Sequence, residues 1–208
     1  MKNLQLVLVA LFGLIILGSS CKKEDAEQPQ TNGSLKSGDI TLSRKTDYGN
    51  DWIYFSFKDA KEVVIEDYQS SNDWDIAFNR YNVRTNSGES GNALGGAYDV
   101  GKVDFASVTL APETGYTVDD TIQIVAAFTG QGVEWMTSTG NDVFKGVIDM
   151  EYGNQGPSYI ANDHIYIIKT ADGKYAKLWI KSYYNDAGES GFINFKYHYQ
   201  SAVSNDLE

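Results

Sequence analysis

The sequence predicts an all-β protein: one domain of antiparallel strands, built as a sandwich or strongly curved sheet, preceded by a signal peptide and a flexible linker. Three observations carry this. Beyond residue 40 the chain is rich in Tyr, Phe, Val, Ile and Gly, its apolar residues alternate instead of recurring every third or fourth place, and its only prolines there are Pro112 and Pro157. A period of two marks a strand with one buried face. No stretch reads as a helix of three turns, so sheets are expected to cover sheets.

The clearest strands run from Trp52 to Phe57, Glu62 to Tyr68, Trp74 to Arg84, Ile122 to Phe128, His164 to Lys169, Lys174 to Tyr184 and Gly191 to Tyr199. Turn-forming residues separate them, among them Asn72-Asp73, Ser87 to Gly96, Gly130 to Gly132, Gly153 to Pro157, Asp172-Gly173 and Asn185 to Gly188. Asp172-Gly173 is a strong tight-hairpin signal, so the strands on either side are expected to pair antiparallel. In the third run Trp74, Ile76 and Phe78 share a face but Tyr81 and Val83 have switched parity, which predicts either a bulge near Asn79-Arg80 or cover on both faces. The tetrapeptide Gly88-Glu89-Ser90-Gly91 recurs at 188–191 in different surroundings and reads as two similar loops, not a repeat.

The first residues describe a secretory signal: Met1-Lys2-Asn3, a largely apolar run from Leu4 to Leu17, then Gly18-Ser19-Ser20-Cys21. The run is shorter than the roughly 20 apolar residues of a spanning helix. Cys21, the only cysteine, stands where a lipoprotein signal peptidase needs it and is the expected lipidation site, although the aliphatic residue usual three places earlier is here Gly18, with Leu17 one further back. Two or more acyl chains on Cys21 would suffice for stable anchoring. The polar stretch that follows cannot offset the entropy of ordering and reads as a tether, holding the domain on the order of 20 Å from the lipid. The expected divisions are 1–20 signal peptide, 21–38 acylated cysteine and tether, 39–203 β domain and 204–208 tail. The charged run after Cys21 resembles signals that send lipoproteins to the outer face of the outer membrane.

Composition excludes several functions. The formal charge is −11, and −12 once Lys2 is removed, a surface that repels phosphate backbones, so nucleic acid is not an expected partner. With Cys21 acylated no thiol remains for a disulfide or a cysteine-bound metal. Burial must hold the domain together, and about 170 residues are enough for that.

Catalytic signatures are absent. The chain has two histidines and no HExxH, GxSxG, phosphate-loop or calcium-loop pattern. His198 alternates with Asn194, Lys196 and Gln200 and reads as a solvent-facing residue, while His164, beside Asn162-Asp163, reads as stabilising a turn or as a metal ligand. Asp119, Asp120 and Asp172 are explained by turn chemistry. The glycine-rich segment 88–96 precedes no helix, so it reads as a structured loop needing positive φ, not a nucleotide cradle. No enzyme is expected.

A set of residues spread through the domain resembles the HmuY family of haem-binding lipoproteins: Trp52 to Phe57, Val63-Val64, Asp67-Tyr68, Trp74-Asp75, Arg80-Tyr81, Val83-Arg84, the block from Asn86 to Ala97, Gly115 to Asp119, Gly156 to Tyr159, Ala171 to Gly173, Ala176-Lys177 and Gly191 to Tyr199. The resemblance implies an all-β fold shaped like a cupped hand, in which two hairpins grip haem and supply two axial ligands, a histidine pair in some members and a methionine pair in others. Anchored on Gly156 to Tyr159, the histidine positions fall at Tyr152 and near Val133, and this chain has histidine at neither. It has Met136 and Met150 on the same two stretches, although the stretch between is shorter than in the histidine-using members.

Thioether sulfur is a recognised axial ligand and favours ferrous iron more than imidazole does. Met136 and Met150 are therefore the candidate metal ligands, with Val133, Trp135 and Tyr152, beside Phe144, Val147 and Ile148, as candidate walls for a porphyrin. Methionines among aromatics are also ordinary core filler. The resemblance implies haem capture at the cell surface and delivery to an outer-membrane haem receptor. A second reading is a binding module without haem that recognises a protein or glycan through Tyr175, Trp179 and Tyr183, which alternate along one strand with Lys177 and Lys181.

Overall fold

A computed structural model describes residues 35–44 and 49–208. The signal segment, Cys21 and the first part of the tether lie outside the described residues. Within them, thirteen antiparallel strands form two packed sheets and two separate two-stranded ribbons. The larger sheet has the order β1 (Leu35–Thr41), β13 (Ser190–Gln200), β12 (Tyr175–Tyr184), β11 (Ile165–Lys169), β6 (Gly96–Gly101). The smaller has the order β3 (Lys61–Val63), β2 (Ile53–Ser56), β4 (Ile76–Asn79), β5 (Asn82–Thr85). The ribbons are β7 (Asp120–Thr129) with β8 (Gly132–Gly140), and β9 (Ile148–Gly153) with β10 (Gly156–Ala161). Among the described residues no helix is long and apolar enough to cross a membrane.

Alternation decides what each sheet buries. Phe55, Ile76, Phe78 and Val83 of the smaller sheet meet Leu178, Ile180, Phe195 and Tyr197 of the larger in one core. Its centre is aromatic: Phe55 packs edge-on against Phe195 at 5.2 Å and Phe78 stacks on Phe195 at 5.9 Å, geometries that add stability beyond the area buried. Thr170 to Lys174 makes the hairpin that Asp172-Gly173 predicts, with Gly173 at φ 80 and Ile168 opposite Ala176.

Several expectations are corrected. Trp74 to Arg84 is two strands joined by a tight turn at Arg80-Tyr81, with Arg80 at φ 55, so the parity switch is a hairpin and not a bulge. The run from Glu62 pairs only as far as Val63. On β12 the register shifts beyond Ile180, which turns Tyr183 into the main core while Tyr175 and Trp179 stay on the other face, where Lys177 is buried too. No exposed aromatic ladder exists there, because a second core made by Phe105, Val108, Ala111 and Leu207 covers that face. Sequence alternation cannot show which distant segment lies on a polar strand face.

The same cover buries His198 partly. Its ring meets Phe105 edge-on at 4.9 Å, its Nδ1 is enclosed without a hydrogen-bond partner, and burial lowers its pKa. The segment 204–208 is not a loose tail: Leu207 is fully buried, its N–H donates to Thr109 O at 2.8 Å, and Asp206 bridges to Leu110. At the other end Leu35 to Gly38, assigned to the tether, already pair with β13, and Gly38 leaves room for the Tyr197 ring, which a Cβ would meet at 2.9 Å. An edge strand exposes its polar side chains, so composition alone reads it as linker.

Ending the chain at Val203 is therefore expected to destabilise the fold by about 2 kcal/mol, chiefly through Leu207, lowering the thermal midpoint by roughly 4–8 °C. A calorimetric scan of the truncated protein that matches the full chain would contradict this.

Candidate functional site

A knot of buried polar groups fixes the β7–β8 ribbon to the sandwich. Asp119, just before β7, is 2 % exposed. Its carboxylate accepts hydrogen bonds from Thr85 N at 3.0 Å and from Asn141 Nδ2 at 2.9 Å, and its backbone O accepts from Glu89 N at 3.1 Å. Asn141, just after β8, also donates from its side chain to Thr117 O and from its backbone to Val83 O. Gly88 sits at φ 53 with no room for a Cβ, which would lie 2.1 Å from Asp119 O. A buried carboxylate this completely bonded holds both strands of the ribbon to the edge of β5.

The rest of the glycine-rich block is scaffold as well. Asn86 is fully buried, its Nδ2 donates to Ser71 O and Trp74 O, and a Cβ on Gly91 or Gly95 would collide with it. Asp75 joins the two sheets by accepting from Phe57 N at 2.8 Å and Ala171 N at 2.9 Å. Burial pushes the carboxyls of Asp75 and Asp119 up to about 6 against the pull of these hydrogen bonds.

A cleft of about 360 Å³ opens at this junction. Val83, Ile122, Phe144 and Ile148 form its apolar side, and Gln123 and Lys145 line it with polar groups. Above it each ribbon carries exposed apolar side chains: Phe128, Val133 and Trp135 (61 % exposed) on the first, Met150 (37 %) and Tyr152 (73 %) on the second.

Cross-strand pairing places the sequence-predicted residues. Met136, half-buried, lies opposite Ile124, whereas Trp135 lies opposite Val125 and Val133 opposite Phe128. Successive residues of a strand face opposite ways, so Trp135 and Val133 share one face of β8 and Met136 takes the other. On β9, Met150 lies opposite Tyr159 and Tyr152 opposite Pro157, and both share the face of Ile148, which lines the cleft. The structure thus groups Met150 with Tyr152, and Val133 with Trp135, and sets Met136 back to back with the latter pair. Phe144, Val147 and Ile148 all belong to the main core, and of the three only Phe144 and Ile148 also line the cleft. Phe128, Gln123 and Lys145 were missed; only the alternation of β7 carried a signal for the first.

The histidines lie elsewhere. His164 Nδ1 pairs with Asp99 at 2.9 Å, and Asn162 Oδ1 accepts its backbone N–H, so it serves a turn. Among the described residues no group of three or more His, Cys, Asp or Glu could hold a metal ion. Two hairpin ribbons rooted side by side on a β sandwich is the decisive geometry, and the family model described as HmuY protein matches residues 48–197. The chain belongs to the HmuY family.

Solved HmuY-type structures agree in fold. A candidate HmuY-like haem-binding protein of Bacteroides vulgatus is 26 % identical, with a TM-score of 0.60 over 77 % of this chain and 90 % of that one. The apo HmuY analogue of Tannerella forsythia is 21 % identical, TM-score 0.63, covering 80 % and 97 %. Apo PinO from Porphyromonas gingivitis is 15 % identical, TM-score 0.62, covering 82 % and 99 %. No curated protein matches. The HmuY family is a family of binding proteins associated with haem.

The buried carboxyls set a pH dependence. Asp75 titrates near 6 in the folded protein and at 3.8 when unfolded. The folded state therefore binds the proton more readily, and stability from this group increases as pH falls from 7 towards 4. The advantage of the native protein over Asp75→Asn in urea unfolding is expected to grow by on the order of 1–2 kcal/mol between pH 7 and 4.5. An advantage that shrinks over that range would refute the assignment.

Proposed function

We propose that this protein is a surface lipoprotein that binds haem between its two ribbons and passes it to an outer-membrane receptor. One observation carries the reading: two ribbons, each bearing a methionine and exposed apolar rings, flank a cleft in a chain of the HmuY family. The name of the Bacteroides vulgatus structure, a haem-binding candidate, supports it.

In this reading Met136 and Met150 supply the two thioethers, one from each ribbon, and Tyr152 flanks Met150. Such ligands are soft and hold ferrous iron better than ferric. Val133 and Trp135, with Phe128, lie on the reverse of β8 and are placed to contribute less than the residues on the face of Met136. Acylated Cys21 holds the domain at the outer membrane, and electrons and bonds of a substrate are not rearranged, which makes the protein a carrier and not an enzyme. Burial of Tyr183 and Lys177 leaves the alternative, recognition through an aromatic face of β12, without its surface.

Haemin added to the purified domain, with and without dithionite, is expected to shift the Soret band, more strongly when reduced. Met136→Ala and Met150→Ala are each expected to weaken binding at least tenfold, about 1.4 kcal/mol, and Trp135→Ala less than fivefold. If Trp135→Ala abolishes the shift while Met136→Ala leaves it intact, the opposite face of β8 meets the ligand. No shift in either redox state removes haem from the proposal.

A further inference from the structure

Arg84, on β5, is 1 % exposed, and its guanidinium is turned away from the main core. It lies between two rings, 3.9 Å from the Trp52 centroid and 4.5 Å from that of Tyr68. Its N–H groups point at the first ribbon: Nε donates to Thr139 O at 2.9 Å and Nη2 to Ser138 Oγ at 2.9 Å. Nη2 also reaches Asn50 Oδ1 at 3.3 Å, and Ser138 Oγ donates to the same Asn50 oxygen at 3.0 Å.

The neighbouring segment holds the other strand. Gly49 N donates to Val125 O on β7, and Asn79 Nδ2 fixes that segment through Gly49 O at 2.6 Å and Asp51 O at 2.8 Å. The clamp thus grips β8 at Ser138 and Thr139 and β7 at Val125. Directly beyond Val125 the register of the ribbon shifts, and from Ala127 to Val133 its side chains are largely exposed. The pair Ile124–Met136 stands one level inside Val125–Trp135, the last level that the clamp holds. A two-stranded ribbon is marginal by itself, so its direction depends on this anchorage.

We infer that Arg84 is a positioning residue: by clamping Ser138 and Thr139 it sets the rotation and height of the β7–β8 ribbon, and so the place of Met136. This rests on the haem-binding reading above. The planar fork of donors, stacked between rings, makes the geometry one that lysine cannot reproduce.

Ser138→Ala, Arg84→Lys and Arg84→Gln test it, read by amide hydrogen exchange and by haemin titration. Exchange in 133–138 is expected to rise at least tenfold while 176–180 of β12 stays as in the native protein, and the haemin Kd is expected to weaken at least fivefold with a moved Soret maximum. Arg84→Lys is not expected to rescue either readout. Ser138→Ala, the mildest change, keeps the test informative if the Arg84 variants fail to fold. Native exchange in 133–138, or a rise spread evenly over both regions, would leave Arg84 as a stabilising residue only and overturn the inference. If the native protein gives no Soret shift, the haem reading falls, and the exchange data still decide the clamp.

Discussion

The architecture depends on burying a carboxylate where the β7–β8 ribbon joins the sandwich. Asp119 costs desolvation, visible in its raised pKa, and is tolerable only because Thr85 and Asn141 saturate it. Removing any one partner leaves a charge unsatisfied in a low-dielectric site, which is far costlier than losing one bond. The arrangement therefore acts all or none. Strands β5, β7 and β8 and the loop at Gly88 hold their relative places together or not at all.

That constraint explains how a domain without disulfides in its described part can carry the projecting β7–β8 ribbon. The sandwich core is rich in interlocked rings, with Phe195 touching Phe55, Phe78 and Tyr197, and the second ribbon adds Ile148, Tyr159 and Ala161 to it. The β7–β8 ribbon is held by polar bonds at its foot, Asp119 and Asn141 on one side and Arg84 on the other, whereas the second ribbon is rooted by apolar contacts of Ile148, Tyr159 and Ala161 with the main core. Hydrogen bonds are directional where apolar contact is not. They therefore fix orientation at the foot and leave the apolar rings of the upper ribbon available to a ligand.

Much of this was legible in the sequence. Period-two alternation revealed the sheets, Asp172-Gly173 gave its hairpin, and the residues from Asn86 to Ala97 marked the family. What that block does was not legible. Its glycines exist because Asn86 and Asp119 approach so closely, a tertiary fact with no local pattern. Polar alternation at His198 and Lys177 suggested solvent, because the cover from Phe105 and Leu207 comes from segments far away in the chain. The edge strand from Leu35 was read as linker, since its pairing needs one apolar side only at intervals.

The candidate site shows the same divide more sharply. Composition could find two methionines among aromatics, but only register shows which residues of β7 share a face with Met136 and which with Trp135. A flat ligand lies on one face of a ribbon, so adjacent residues of β8 cannot serve it equally. Which face would meet the proposed ligand follows from how the ribbon is rotated at its foot, and the clamp acts on that rotation at Ser138 and Thr139, two and three residues away. In the proposed reading, ligand recognition by the first ribbon thus depends as much on the buried guanidinium and carboxylate that orient it as on the side chains displayed on it.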